Sequence, residues 1–236
     1  MTRIAMSVLV YGAVFRISVW ISDFVGIPYA AAVPFMSLYL LVMIFFLRKY
    51  DVLKKYKLCF PEEINRCLWI TAPLLLIPTL NICLSINTVP YIKEIRQIPL
   101  ILYQGISAFS EELLFRAVLP ELLSERCRFT LFRRTMTVNV LFALLHLVNA
   151  FSGASPGYAV VQSFLAVSIG LCFSGITEIS QSLIPAACMH WLINLSALQR
   201  DLYMSALPLK EILIWSGISI LGIIYGLMLI RYKEVS

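Results

Sequence analysis

The sequence predicts an all-α protein, a polytopic membrane helix bundle of about eight transmembrane helices. Two observations carry this. Of 236 residues, 60% are hydrophobic and only 14% are charged, where soluble domains average about 25% charged. So few charges cannot cover a water-facing surface, which excludes a soluble class. The apolar residues also fall into stretches of spanning length, roughly 17 to 25 residues each. These stretches leave no room for a soluble unit, so residues 1–236 are read as a single integral membrane domain.

In order, the predicted spans are Ala5 to Phe24, Ile27 to Leu47, Cys67 to Val89, Ile98 to Pro120, Thr135 to Phe151, Tyr158 to Ile179, Pro185 to Gln199 and Leu207 to Ile230. The first contains Arg16, and no small-residue cleavage site follows it, unlike a signal peptide. The seventh is short for a full crossing. Basic residues cluster in three places. Arg48, Lys49, Lys54, Lys55, Lys57 and Arg66 follow span two. Arg126, Arg128, Arg133 and Arg134 follow span four, and Arg231 and Lys233 follow span eight. With eight spans all three lie on one side, which the positive-inside rule makes the cytoplasm. Both termini then lie in the cytoplasm of an inner or plasma membrane. One loop is mixed, with Lys93, Glu94 and Arg96 on the outer side. The cysteines Cys59, Cys67, Cys83, Cys127, Cys172 and Cys188 form no CxxC pair and read as small hydrophobes.

Charge inside a bilayer costs about 2.5–3.5 kcal/mol per residue on insertion scales, so intramembrane polar groups ask for a reason. Span four carries Glu111, Glu112 and Arg116 in "SEELLFR". Glu112 and Arg116 are four apart and pair on one face. Glu111 is turned about 100° away and has no partner on its own helix. The two histidines, His146 and His190, both lie in spans, and Asn194 follows His190 by one helical turn. At 1.5 Å per residue, Glu111, His146 and His190 lie roughly 13, 16 and 8 Å from the basic-loop ends of their spans. Four groups on three helices therefore meet at one level in the cytoplasmic half. Each alone has a plainer use. A lone His or Asn serves as glue between helices, the Glu112–Arg116 pair satisfies itself, and Phe142 fills space.

As a set, Glu, two His and Asn suit water activation. A desolvated carboxylate is a stronger base, and His with Asn can donate to an oxyanion. Zinc binding uses the same residue types, although H-E-x-x-H is absent and each His is on a different helix. A small transporter or proton relay also uses intramembrane Glu and His, but paired repeats or broken helices are not evident.

The ordered trio "EELLFR" (Glu111, Glu112, Arg116), "FALLH" (Phe142, His146) and "HWLIN" (His190, Asn194) resembles the CPBP family of intramembrane proteases. That family includes type II CAAX prenyl endopeptidases and the Abi bacteriocin-processing and immunity proteins. The resemblance covers roughly Gln97 to Ala197, giving a catalytic core at 97–197. It implies a glutamic-type, metal-independent peptidase with no cofactor, cutting a peptide bond near the cytoplasmic membrane face. Glu111 would be the general base and His146 would help hold the water. His190 and Asn194 would form the oxyanion hole, with Glu112, Arg116 and Phe142 as structural support. The implied partners are the lipid bilayer and a peptide or membrane-anchored substrate, and no nucleic acid. Eukaryotic and archaeal relatives cut behind a prenylated cysteine, while many bacterial relatives act on other peptides. A non-enzymatic immunity or scaffold protein of the same fold is the remaining reading, and an intact motif set favours the enzyme.

Overall fold

The computed structural model describes residues 2–25, 29, 31–49, 55–85, 98–126, 129–152, 154–198 and 207–235. Ile27, the Val89 and Gln199 ends of their spans, Lys54, Cys127, Arg128 and the loop with Lys93, Glu94 and Arg96 lie outside these residues.

The described chain is helical, apart from one isolated bridge. Helix α1 runs Thr2–Val25 and α2 Ala32–Lys49. Helix α3 (Ile64–Thr71) continues through a 3₁₀ turn, Ala72–Leu75, into α4 (Leu76–Ser85). Helix α5 (Ile98–Glu112) continues through a π turn, Leu113–Val118, into α6 (Leu119–Arg126). Helix α7 (Leu131–Leu147) ends in a 3₁₀ turn, Val148–Ser152. Helices α8 (Pro156–Ser180), α9 (Ile184–Ala197) and α10 (Leu209–Val235) follow. Among the described residues, a helix falls within each of the eight apolar stretches. Five helical stretches among these residues are long and apolar enough to cross a membrane: Ala32–Lys49, Ile64–Leu84, Leu131–Ala150, Pro156–Ser180 and Leu209–Val235. The protein is a polytopic helical membrane protein.

Sequence signals set the helix ends. Ser155 accepts the Tyr158 N–H and Pro156 takes the first turn of α8, where a missing N–H costs nothing. Thr130 caps α7 by accepting the Arg133 N–H. The helix of the fourth stretch does not stop at Pro120, where the predicted span ends, but runs on to Arg126. In the wide turn before it, the Leu119 N–H reaches back to the Leu114 carbonyl. A proline ring fits behind such a π turn without breaking the helix.

Helix α8 is the centre of the bundle, and residues 168–178 are buried all the way round. Against it lies α10, at backbone distance. A methyl at Gly226 would come within 2.6 Å of Leu171 Cβ and 2.8 Å of the Cys172 backbone nitrogen. Small residues let membrane helices approach this closely, where burial from lipid adds little drive. Apolar side chains such as Leu9, Trp20, Leu41, Trp69, Leu213 and Ile224 face outward, as lipid contact requires.

One end of the bundle gathers the basic stretches. Glu178, at the end of α8, pairs with Lys55 at 2.9 Å and Arg134 at 3.4 Å and accepts the Tyr56 hydroxyl. Burial, then the Glu178 charge beside it, push the Tyr56 hydroxyl pKa well above its usual value. The Lys57 N–H bonds the Gln181 carbonyl, and the Leu183 N–H bonds the Lys57 carbonyl. Glu234 accepts the Phe132 N–H at 3.0 Å, and Arg66 donates to Tyr232 at 2.8 Å. The loop after α2, the start of α7 and the end of α10 therefore share one face.

Candidate active site

The π turn and the straight part of α5 meet at Glu112, so the two glutamates leave the helix in different directions. Glu112 and Arg116 form an ion pair at 3.0 Å, with both side chains 1% exposed. The guanidinium lies 5.2 Å from the centre of the Phe142 ring. Its two terminal nitrogens have no hydrogen-bond partner among the described residues. A methyl at Gly170 would come within 2.3 Å of Asn139 Oδ1 and 3.3 Å of Arg116 Nη2, so only glycine leaves those groups their space.

Glu111 is half-buried and has more partners than its spacing suggested. Tyr11, from α1, donates to its Oε1 at 2.6 Å, and Ser107 donates to the same oxygen at 3.2 Å. Ser107 lies one turn back on α5, so Glu111 does have a partner on its own helix. That corrects the expectation of a lone carboxylate. The i, i+4 spacing was in the sequence, whereas Tyr11 is 100 residues away and carried no local signal. Asn139 was also missed. It donates to Ser174 at 3.1 Å and precedes Phe142 and His146 by three and seven residues, on the same helix face.

His190 joins the two glutamates. Its Nδ1 lies 2.9 Å from Glu112 Oε1, and its Nε2 lies 3.7 Å from Glu111 Oε2. Glu112 is thus a support for His190 as well as for Arg116. The His146 Nδ1 donates to the Phe142 carbonyl at 2.9 Å, which leaves Nε2 as an acceptor. The Phe142 ring packs edge-on against both histidines, at 4.8 Å from His146 and 6.0 Å from His190. His146, His190 and Asn194 line one cavity of about 110 Å³. Glu111 is not in its wall and meets it through His190. The Asn194 carboxamide makes no hydrogen bond among the described residues. No group of three or more His, Cys, Asp or Glu side chains among the described residues has a metal-ligand arrangement.

The family model of the Type II CAAX prenyl endopeptidase Rce1-like proteins matches residues 96–196. This segment belongs to that family. The Rce1-like family is one of peptide hydrolases, and its match spans all three motifs, from Glu111 to Asn194. No curated protein and no solved structure matches the chain.

Proposed function

We propose that the chain is an intramembrane, metal-independent endopeptidase in which Glu111 activates a water molecule. Glu111 takes a proton from the water, which His146 Nε2 also holds. The resulting hydroxide attacks the peptide carbonyl, and the oxyanion is received by His190 Nε2–H and the Asn194 carboxamide. For His190 to donate from Nε2 while Nδ1 is bound to Glu112, the ring carries both protons. Collapse of the intermediate breaks the C–N bond, and the leaving amine takes the proton from Glu111. One water and one peptide bond give a carboxyl and an amine.

The observation that carries the proposal is the 3.7 Å approach of Glu111 to His190, beside a cavity that His190 shares with His146 and Asn194. Transport chemistry does not require an oxyanion donor such as Asn194 at that position. We read the eight apolar helical stretches as eight spans, with both termini and the basic loops in the cytoplasm. The substrate is a peptide or a membrane-anchored protein. Comparison of membrane proteins and released peptides from cells with wild type or Glu111→Gln tests this. A new terminus that needs Glu111 supports the proposal, and identical peptide sets refute it.

A further inference from the structure

Arg116 needs more than Glu112 supplies. A guanidinium carries five N–H donors in a fixed fork and keeps its charge. Glu112 lies 3.0 Å from its Nε, and the Phe142 ring lies under its plane. Both terminal nitrogens are buried, with no hydrogen-bond partner among the described residues. Buried donors are seldom left unpaired, and their partners are neighbouring side chains or ordered waters.

Two features beside the guanidinium meet that need. The first is Asn139 on α7, which is fully buried. Its amide nitrogen donates to the Thr135 carbonyl at 2.9 Å and to Ser174 at 3.1 Å. A carbonyl only accepts, so the nitrogen has to face Thr135, which fixes the orientation of the amide. Both amide hydrogens are then used. Oδ1 is left aimed at Gly170, the same point that Arg116 Nη2 approaches, and it has no partner among the described residues. The second is a space of about 10 Å³ bordered by Arg116, Ser174, Thr177 and Glu178, about the size of one water. Thr177 is buried, and its hydroxyl has no partner among the described residues. Gly170, Ser174 and Thr177 recur at four and three residues along α8, so one helix face turns toward Arg116.

We propose that this space is a binding site for one buried water, and that the water and Asn139 Oδ1 together hold the Arg116 fork. The water accepts from a terminal nitrogen of Arg116 and donates to Thr177 Oγ1. Its second hydrogen turns to Ser174 or to Glu178. Asn139 Oδ1 accepts from Nη2. A neutral ligand suits the charge balance, because Glu112 already pairs with the guanidinium and the Glu178 carboxylate on the same wall would repel an anion. Through Arg116 these contacts fix Glu112, whose Oε1 lies 2.9 Å from His190 Nδ1. Asn139 and Thr177 are therefore positioning residues for His190, two links away from it. Their part in turnover rests on the peptidase reading, whereas the water site does not.

Two changes at one position separate a hydroxyl from a space-filler. Thr177→Val keeps the shape and removes the hydroxyl, and Thr177→Ser keeps the hydroxyl and removes a methyl. Both are made in the whole chain and melted in detergent. The water site predicts that Thr177→Val melts roughly 3 °C or more below Thr177→Ser. Equal melting, or the reverse order expected of packing alone, overturns it. The pair is then rebuilt on Glu112→Gln with Arg116→Met, where no guanidinium needs the water. There the gap should close, and an undiminished gap shows that Thr177 does not act through Arg116. A crystal structure of the wild-type chain that resolves waters gives the direct readout. Ordered density within hydrogen-bond distance of Arg116 and Thr177 is expected, and its lack overturns the site even if the rebuilt background does not fold. With the peptide whose cleavage needs Glu111, Asn139→Leu and Thr177→Val should lower kcat roughly tenfold at nearly constant KM, and Thr177→Ser should restore it. An unchanged kcat beside the expected melting gap overturns the positioning role alone. Failure of the peptidase reading shows separately, as no Glu111-dependent cleavage by wild type.

Discussion

Glu112→Gln keeps the shape of the side chain and removes its charge, and the structure sets the consequence. The carboxylate serves Arg116 on one side and His190 on the other. Arg116 is 1% exposed, its two terminal nitrogens have no hydrogen-bond partner among the described residues, and its guanidinium lies over the Phe142 ring. Without Glu112 the guanidinium keeps its charge and loses its paired anion. Breaking a fully buried pair on one side costs about 3–5 kcal/mol. At 2–4 °C per kcal/mol for a chain of this size, melting falls by roughly 6–20 °C. The assay is thermal unfolding in detergent beside a cleavage assay. Arg116→Met, made together with Glu112→Gln, removes both charges and should lose less stability than the two single losses added. Both Glu112 variants should also lose turnover, because His190 loses its anionic support. A Glu112→Gln protein that melts with wild type would show that the pair is not a supporting element, and the reasoning would fail.

Tyr11→Phe removes the 2.6 Å hydrogen bond to Glu111. A hydrogen bond to a charged group contributes about 1.5–3 kcal/mol, so turnover in a steady-state assay should drop tenfold or more with little change in membrane abundance. Asn194→Ala should lower kcat by roughly 10²–10³ and leave KM nearly unchanged, as loss of one oxyanion donor does. If KM alone rises, Asn194 binds substrate elsewhere. Dialysis against a chelator should leave the wild-type rate intact, and a loss restored by zinc alone would return the metal reading.

Much of the bundle was legible because apolar length is a one-dimensional property. Among the described residues each predicted stretch contains a helix, five of them long and apolar enough to cross a membrane, and described parts of the basic loops meet at one end. The motif residues were legible as well, since four-residue spacings put Glu112 with Arg116 and His190 with Asn194 on shared faces. Tyr11 was not, because its partner lies on another helix and nothing in its neighbourhood marks it. Ser107 and Asn139 followed the same spacing rule as the motifs but look like ordinary polar residues in a membrane helix. The helix continues past Pro120, although a proline usually ends a helix, because the π turn before it removes that conflict. The rotation separating Glu111 from Glu112 was correct, yet both reach His190, because one imidazole presents two nitrogens to two directions. No rule of spacing gives that.

The central claim is that Glu111 is the base. Wild type and Glu111→Gln are purified, reconstituted in vesicles, and given the peptide whose terminus depends on the enzyme in cells. Glutamine can keep the contacts with Tyr11 and Ser107, so both proteins should insert equally and melt within a degree or two of each other. The account predicts cleavage by wild type and none by Glu111→Gln. Cleavage by a folded Glu111→Gln protein at a rate near wild type would contradict it.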